Sequence, residues 1–330
     1  MSTRRSFIKK SAATLSAPLI LPNSDVFSLF KTAPSDQINV GVIGTGIRGQ
    51  GLMRILNKIE GINLIAICDI LPFRLEAAAQ IAPKASKYKN HKALLSHKGL
   101  DAVIISSPLN THVAIASDAI DASVHIYCEK TMVKGDQDTL DLVNKVENEH
   151  TKIFQTGHQY HSSRLYSHVV EIIQGGEIGQ VSAVQAQWNR NGNWRRPVPD
   201  PKFERQVNWR MYREYSYGLT AELSSHQIDF CNWLLQATPK KVTGFGGIDY
   251  WKDGRETYDN IHLIYTYPKG VKATFTCLTS NAKDDYLIKV LGDKGTVIID
   301  YQNDWKYREG KYDKVIADVA GGAGATASGT

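Results

Sequence analysis

A glycine-rich turn between a strand and a helix constrains this chain more than any other feature. The run INVGVI is apolar and β-branched, which predicts a buried parallel strand. The chain then reads GTGIRG, in which Gly44 permits a tight turn, Gly46 lets a pyrophosphate approach, and Gly49 lets helix and strand pack closely. The following helix presents free N–H groups to the same place. A dinucleotide is therefore expected over this loop, which also contains Ile47 and Arg48.

An acidic residue follows at the spacing typical of dinucleotide-binding domains. A second apolar strand, predicted over residues 62–67, leads to Asp69, which lies 20 residues after Gly49. A carboxylate in this place accepts hydrogen bonds from the adenosine ribose and repels a 2′-phosphate. NAD is therefore expected rather than NADP, although Arg74 softens this preference.

The alternation of strands and helices then continues. Three further strands and two helices are predicted, in chain order over residues 101–108, 111–122, 124–128, 136–149 and 152–156. Ligands bind at the carboxyl ends of the strands in such sheets, so residues 35–156 are expected to form an NAD-binding Rossmann domain. Cofactor contacts are expected at this edge from Ser107, Pro108, Asn110, His112, Glu129 and Lys130.

The pattern changes after Gly157. An amphipathic helix with apolar residues at positions 169, 170, 172 and 173 precedes long alternating strands. These strands are predicted over residues 181–188, 241–247, 260–267, 271–278, 286–291 and 296–301. Another helix is predicted from Glu222 to Leu235. The predicted fold class is thus an α/β Rossmann domain plus an α+β domain, residues 157–330, with a large, mostly antiparallel open sheet through which a homo-oligomer is expected.

Several motifs jointly resemble the glucose–fructose oxidoreductase / inositol dehydrogenase (Gfo/Idh/MocA) family, over about residues 38–301. They are the glycine loop, Cys68-Asp69 with Arg74, Ser107-Pro108-x-x-x-His112, Glu129-Lys130, Gly179 before a strand, and Glu222-x-x-x-His226-x-x-Asp229. The chain departs from the family in two places, with Thr131 where proline is common and Glu222 where aspartate is usual. It also stops without the terminal helix expected of the family, so the second domain is expected to be truncated or naturally short.

The resemblance implies three catalytic residues. Lys130 reaches both nicotinamide and substrate, and His226 is the proton-transfer centre, with Glu222 as its acid. This agrees with the chemistry, because an alcohol ionises at pH 7 only with a base in contact. Glu222, one helical turn before His226, is expected to orient the ring, and Lys130 is expected to stabilise charge on the same oxygen.

An aromatic and basic cluster is the candidate carbohydrate site, since aromatic faces stack on sugar C–H surfaces. Residues predicted to bind substrate are Trp188, Arg190, Trp194 and Trp209, with His158 and Tyr160 beside the nicotinamide. The alternative for the cluster is an oligomer interface or a loop packed on the sheet. His158, His161 and His168 have no carboxylate or cysteine partners at suitable spacing, so no metal site is predicted.

The first 34 residues predict export. The segment TRRSFIKK and the short apolar run after it resemble a twin-arginine (Tat) signal, so we expect the Tat machinery as a partner. The destination is the periplasm, or the membrane if an uncleaved signal anchors the protein. Of the net charge of +6, +4 belongs to residues 1–34, from Arg4, Arg5, Lys9, Lys10 and Lys31 against Asp25. The remainder carries only +2, so nucleic acid is not expected as a partner.

Export constrains the reaction, because free NAD is scarce outside the cytoplasm. The nucleotide is therefore expected to be tightly bound and regenerated in place. The favoured hypothesis is hydride transfer between NAD and a ring hydroxyl, at C3, of a sugar or glycoside. One alternative is a redox-neutral NAD-dependent glycosidase, like related α-N-acetylgalactosaminidases, which oxidises C3, eliminates the glycoside, adds water and re-reduces the ketone. The other is a sugar-binding protein without catalysis.

Overall fold

Two β-sheets organise the part of the chain that the computed structural model describes. This part comprises residues 37–149 and 151–300, with the backbone alone of residues 315–318. The export segment predicted over residues 1–34 lies outside the described residues. The predicted fold class is confirmed, because one sheet is parallel and the other is mixed and mostly antiparallel.

The first sheet is parallel, with six strands in the order β3-β2-β1-β4-β5-β6. The strands are β1 Ile38–Ile43, β2 Ile62–Cys68, β3 Ser86–Tyr88, β4 Ala102–Ile105, β5 His125–Glu129 and β6 Phe154–Gly157. Val42 and Val103 are fully buried, as expected of strands covered on both faces. The chain order reverses between β1 and β4, which is the switch point where sheets of this kind bind ligands.

Five helices cover the faces of this sheet. They are α1 Ile47–Leu56, α2 Pro72–Ile81, α3 His91–Leu95, α4 His112–Asp121 and α5 Asp136–Glu149. Helix α1 follows the glycine loop directly, as predicted. The helix predicted over 111–122 is α4, and a 3₁₀ turn, Leu109–Thr111, precedes it because Pro108 sets the entry of the chain.

The second sheet has seven strands in the order β13-β12-β11-β7-β10-β9-β8. The strands are β7 Val181–Asn191, β8 Lys241–Gly247, β9 Asn260–Thr266, β10 Lys272–Leu278, β11 Ser280–Gly292, β12 Thr296–Asp300 and β13 Val315–Asp318. Strand β10 pairs with β7 in parallel, and the other pairings are antiparallel. Strands β7 and β11 run longer than predicted because they continue past the apolar stretch into polar residues.

Two long helices, α6 Arg164–Gln174 and α8 Ser225–Leu235, cover one face of the second sheet. A one-turn helix, α7 Glu204–Val207, lies between them in the sequence. Buried Val169 and Phe230 from the helices pack with Phe275 and Ile288 from the sheet. The predicted start of the last helix at Glu222 is wrong. Residues Thr220–Ser224 form a π-helical turn, and the α-helix α8 begins after it, at Ser225. No helix within the described ranges is long and apolar enough to cross a membrane.

The edge strand β8 leaves apolar side chains exposed. Phe245 is 85% exposed and Val242 is 60% exposed, and Ile264 on the neighbouring β9 is 45% exposed. Exposed apolar residues grouped on a sheet are typical of association surfaces. The predicted homo-oligomer through this sheet stays a prediction.

Replacing Gly49 with alanine should destabilise the fold. The new Cβ would lie 2.1 Å from the carbonyl oxygen of Gly44 and 2.8 Å from the Ser106 hydroxyl. Overpacking of this kind costs about 1–3 kcal/mol, measurable as the free energy of unfolding in urea. The control is Gly51→Ala on the same helix, where no atom lies within 4 Å and stability should rise by up to about 1 kcal/mol. An equal loss in both variants would contradict the steric explanation.

Candidate active site

The glycine loop is packed tightly against the end of β4. Gly44 has a φ of +88°, and a Cβ there would lie 2.5 Å from the backbone nitrogen of Ser107. The Ser106 hydroxyl donates a hydrogen bond of 2.6 Å to the carbonyl oxygen of Gly44. These contacts hold the turn between β1 and α1 at the switch point of the sheet.

The start of α1 offers both space and hydrogen-bond donors to an anion. Gly46 is the N-cap of α1, without a side-chain cap and without an acidic residue in the first turn. The first N–H groups of a helix have no partners within it. A Cβ at Gly46 would meet nothing closer than the Arg74 guanidinium at 3.4 Å, and Ile47 is exposed beside it. These residues therefore fit the pyrophosphate of a dinucleotide.

Asp69 belongs to the hydrogen-bond network of the loop itself. Its Oδ2 accepts from the backbone N–H of Thr45 at 2.8 Å and from the Thr45 hydroxyl at 3.2 Å. Its Oδ1 accepts from the N–H of Leu71 at 2.9 Å, and the side chain is buried. Asp69 thus stabilises the glycine loop, a role that the sequence analysis missed. Its predicted contact with a ribose stays a prediction.

The segment after β4 is joined to the segment after β5 through a histidine. The buried His112 ring lies 3.0 Å from the carbonyl oxygen of Ser107 through Nε2 and 3.0 Å from that of Thr131 through Nδ1. Burial lowers the pKa of His112. Pro108 is partly exposed and Asn110 is exposed at this edge. His112 therefore positions two loops, and Ser107, Pro108 and Asn110 stand where a cofactor would pass.

An ion pair crosses from the glycine loop to the end of β5. The Arg48 guanidinium donates to Glu129 Oε1, with both Nε and Nη2 at 2.7 Å. The Tyr127 hydroxyl donates to the same oxygen at 3.3 Å. Burial, together with the charge of Glu129, raises the pKa of Tyr127 to about 12. Glu129 is thus bound to Arg48 and Tyr127 within the protein.

Lys130 connects the two sheets. Its Nζ donates to the carbonyl oxygen of Glu222 at 2.7 Å and to that of Ala221 at 3.2 Å. Both carbonyl groups belong to the π-helical turn before α8, and π turns in helices are frequent at functional sites. Burial lowers the pKa of Lys130 to about 8, with the positive charge of Arg210 acting in the same direction.

Glu222 does not orient His226, so that prediction was wrong. Its Oε2 accepts from Arg210 Nε at 2.8 Å and its Oε1 accepts from the Ser216 hydroxyl at 3.0 Å. The spacing argument considered only the helix itself, whereas both oxygens of the carboxylate are bound to residues that precede the π turn, and Nδ1 of His226 has no hydrogen-bond partner within the described residues. The carboxylate is therefore bound by the irregular segment before the turn. The position of such a segment cannot be predicted from the periodicity of apolar residues.

His226 lies in an aromatic enclosure. Its ring centroid is 5.3 Å from that of Tyr160, 5.6 Å from that of Trp188 and 6.1 Å from that of His158. Within the described residues, its buried Nδ1 has no hydrogen-bond partner. Burial, and then the positive charge of Lys130, lowers the pKa of His226 well below its usual value. The ring is therefore neutral at pH 7, as a base must be before it accepts a proton.

The aromatic and basic cluster separates into two parts. The Arg190 guanidinium lies 5.1 Å from the ring centroids of both Trp188 and Trp194, next to His226. Trp209 stacks under Arg210 at 4.1 Å, on the side of Glu222. Arg195, in contrast, binds Asp253 and Glu204 and holds the loop together. Arg195 therefore fits the interpretation as a packed loop, and sugar binding by Trp188, Arg190, Trp194 and Trp209 stays a prediction.

Two family models match the chain in succession. The oxidoreductase family model, NAD-binding Rossmann fold, matches residues 38–158, and the GFO/IDH/MocA C-terminal domain model matches residues 166–298. Together these ranges cover more than half of the chain. The chain belongs to the Gfo/Idh/MocA family.

Individual family members are distant from this chain. An inositol 2-dehydrogenase of Salmonella paratyphi B is 26% identical over 207 residues, which are 62% of this chain and 56% of that protein. A glycosyl hydrolase family 109 protein of Stenotrophomonas maltophilia is 34% identical over 137 residues, 38% of this chain and 29% of that protein. The crystal structure of myo-inositol 2-dehydrogenase from Lactobacillus plantarum shares the fold, with a TM-score of 0.70 and 19% identity over 85% of this chain and 81% of that one. The chain thus spans little more than half the length of the inositol 2-dehydrogenase.

Thr131 stands where Gfo/Idh/MocA proteins commonly have proline. Its side chain forms a hydrogen bond that proline cannot form. Its hydroxyl donates to the carbonyl oxygen of Ala221 at 2.8 Å, beside Nζ of Lys130. The Lys130–Thr131 peptide bond is cis. The departure from the family motif therefore strengthens the contact between the two sheets.

Asp229 and His161, which were not predicted to belong to the site, also lie beside it. His158 and His161 both contact the Asp229 carboxylate, although no acid is near them in sequence. Asp229 could have been proposed as a site residue because it belongs to the family motif. Nothing in the sequence indicated that His158 and His161 would contact it. Among the described residues no group of histidine, cysteine and acidic side chains is arranged to hold a metal ion.

The lowered pKa of Lys130 predicts a pH-dependent contribution to stability. Because the folded protein releases this proton near pH 8 and the unfolded chain near pH 10.5, the unfolded state binds more protons between these values. The free energy of unfolding of the wild type, relative to Lys130→Met, should therefore rise by about 3 kcal/mol between pH 8 and 10.5. Urea unfolding across this range measures it. Lys98→Met, which replaces an exposed lysine, is the matched control. A pH-independent difference between the wild type and Lys130→Met would contradict the burial of the charge.

Proposed function

We propose that this protein is an exported oxidoreductase that transfers hydride between tightly bound NAD and a ring hydroxyl, at C3, of a sugar or glycoside. The observation that carries the proposal is the convergence of Lys130 and His226, one cationic at pH 7 and the other neutral, beside the carboxyl edge of the parallel sheet. Membership of an oxidoreductase family with an NAD-binding fold supports it.

The two residues divide the work at the substrate oxygen. His226, neutral and buried, accepts the hydroxyl proton as general base. Lys130 donates a hydrogen bond to the same oxygen and stabilises the negative charge that develops there. NAD, when bound, supplies the hydride acceptor for the carbon. Trp188 is buried beside His226, and the partly buried Trp194 is the ring proposed to stack on the sugar.

The cofactor is held by the loop and the strand ends described above. The N–H groups at the start of α1 take the pyrophosphate, and Ser107, Pro108 and Asn110 line its path. NAD is proposed over NADP because the Asp69 carboxylate lies under the loop and repels a 2′-phosphate. The tight binding is proposed from the export signal, because a released nucleotide would not be replaced outside the cytoplasm.

One observation favours a second candidate, the redox-neutral glycosidase. The relative with 34% identity is named a glycosyl hydrolase, although the match covers 38% of this chain. In that cycle the same base and the same lysine act at C3, and the ketone formed there acidifies the C2 proton before the glycosidic bond is eliminated. A sugar-binding protein without catalysis is disfavoured, because it needs neither a lowered lysine pKa nor a neutral buried histidine.

Freshly purified protein should carry NAD or NADH, visible in its absorbance and in nucleotide released by denaturation. Incubation with disaccharides and N-acetylhexosaminides should give a keto-sugar together with reduced nucleotide. Free monosaccharide without net reduction would instead support the glycosidase. His226→Gln and Lys130→Met should each slow the reaction by about 10²–10⁴-fold, whereas Lys98→Met should not. A protein with neither bound nucleotide nor turnover would overturn both enzyme proposals.

Export and self-association complete the proposal. Replacing Arg4 and Arg5 with lysines should retain the protein in the cytoplasm, because twin arginines are the signal that the machinery reads. Cell fractionation measures this, and unchanged export of the variant would contradict it. Self-association through the sheet that carries Phe245 would be excluded by a monomeric mass in light scattering.

A further inference from the structure

A segment of the second domain reaches across to the Rossmann domain. The chain leaves β7 at Asn191, and residues 200–211, which we call the arm, then fold into short helical turns. In the arm, Phe203 meets Phe73 of α2, with ring centroids 5.5 Å apart and ring planes inclined by 56°. Both side chains are partly buried. Tilted aromatic rings at this separation attract each other, so the pair attaches the arm to α2.

Phe73 stands at the end of the groove where the adenosine of a dinucleotide is expected. It lies in the first turn of α2, which begins at Pro72, shortly after Asp69 at the end of β2. The next residue, Arg74, places its guanidinium 3.4 Å from the position of a Cβ on Gly46, the N-cap of α1. In sheets of this type the adenosine ribose binds at the end of the second strand. The aromatic pair is therefore close to the nucleotide and away from the reacting atoms.

The arm approaches α2 at a second point. Burial lowers the pKa of Arg74, and the positive charge of Arg210 acts in the same direction, so Arg210 lies near it. Arg210 is bound to the second domain, because its Nε donates to Glu222 Oε2 at 2.8 Å. Between Phe203 and Arg210 the arm thus runs along the open side of the glycine loop.

The second domain fixes the arm behind Phe203. The carboxylate of Glu204, the next residue, accepts from Asn208 Nδ2 at 2.9 Å and from the Tyr212 hydroxyl at 3.1 Å. Arg195, which precedes the arm, is bound to the same carboxylate. The N–H of Phe203 donates to the carbonyl oxygen of residue 200 at 3.0 Å. The ring of Phe203 is therefore presented to α2 by a segment with a defined conformation.

We propose that the Phe73–Phe203 pair closes the adenosine end of the nucleotide site, so that NAD enters and leaves only when the two rings separate. This closure rests on the proposed function, in which the nucleotide stays bound between turnovers. Separation exposes both rings to water, which costs free energy and slows exchange in both directions. The pair therefore retains the cofactor and takes no part in the chemistry at Lys130 and His226.

The experiment measures exchange of NADH in stopped flow, through the fluorescence of the bound nicotinamide. Phe203→Ala should speed both release into excess NAD and binding to the nucleotide-free protein, each by about tenfold, since an aromatic pair contributes about this factor. The dissociation constant should change less than either rate. Phe73→Ala should have the same effect, and the double variant should add nothing, because each change removes the same contact. Phe203→Tyr keeps the ring and should keep exchange slow.

The matched control is Tyr250→Ala. Tyr250 is exposed and meets Trp251 edge to face, with centroids 4.8 Å apart, so the change removes an aromatic pair that lies within the second domain. Both rates should stay at the wild-type values. In Phe203→Ala, faster release with an unchanged binding rate would show that the ring contacts the nucleotide itself. Unchanged rates in both phenylalanine variants would show that the nucleotide leaves by another route. Either result would overturn the closure.

A second measurement needs no nucleotide. Hydrogen exchange at the Phe203 N–H of the nucleotide-free protein should be faster in Phe73→Ala, although residue 73 belongs to the other domain, because the turn of Phe203 loses its partner. Unchanged exchange there would overturn the closure in a protein that still binds NADH. A wild-type protein that binds no NADH, while Phe73→Ala still speeds exchange at Phe203, would overturn the proposed function and the closure with it.

Discussion

The candidate site depends on one contact, the ammonium group of Lys130 bound to the carbonyl groups of the π turn. The Ala221 carbonyl oxygen accepts from Lys130, from the Thr131 hydroxyl and from the Ser225 hydroxyl, the last at 2.6 Å. In an α-helix this carbonyl would be bound by the N–H four residues later. Here three side chains donate to it, so the turn and the lysine stabilise each other across the contact between the two sheets.

The same contact sets the electrostatics of the site. It places a cation in a partly buried region, which lowers the pKa of Lys130 itself to about 8 and that of His226 well below its usual value. The two nearest glutamates do not offset this charge at His226, because Glu129 binds Arg48 and Glu222 binds Arg210. A neutral base beside a cationic donor results, and neither property is visible in the residues taken one at a time.

Sequence reasoning succeeded where the signal was local. The glycine loop, the strand before it and the helix after it are neighbours in sequence, so Gly44 and Gly49 could be assigned from spacing alone. It failed where contacts join distant segments through irregular backbone. Arg210 reaches Glu222 from a 3₁₀ turn, and Asp229 reaches His161 across 68 positions of the chain. The pattern of apolar residues carries no information on such pairs, because periodicity reports the face of a helix and not its polar partners.

In the proposed reaction, hydride storage on the nucleotide and proton release are connected by mass balance. Oxidation of a hydroxyl yields one hydride and one proton, and a bound nucleotide stores only the hydride. Lys130 is already protonated below about pH 8, and His226 holds a proton poorly among its basic neighbours. In a net oxidation the proton must therefore leave while the hydride stays, whereas the redox-neutral cycle returns one hydride and one proton to the ketone and releases no net proton. The proposed oxidoreductase and the redox-neutral glycosidase thus differ in whether the ketone departs before it is reduced again.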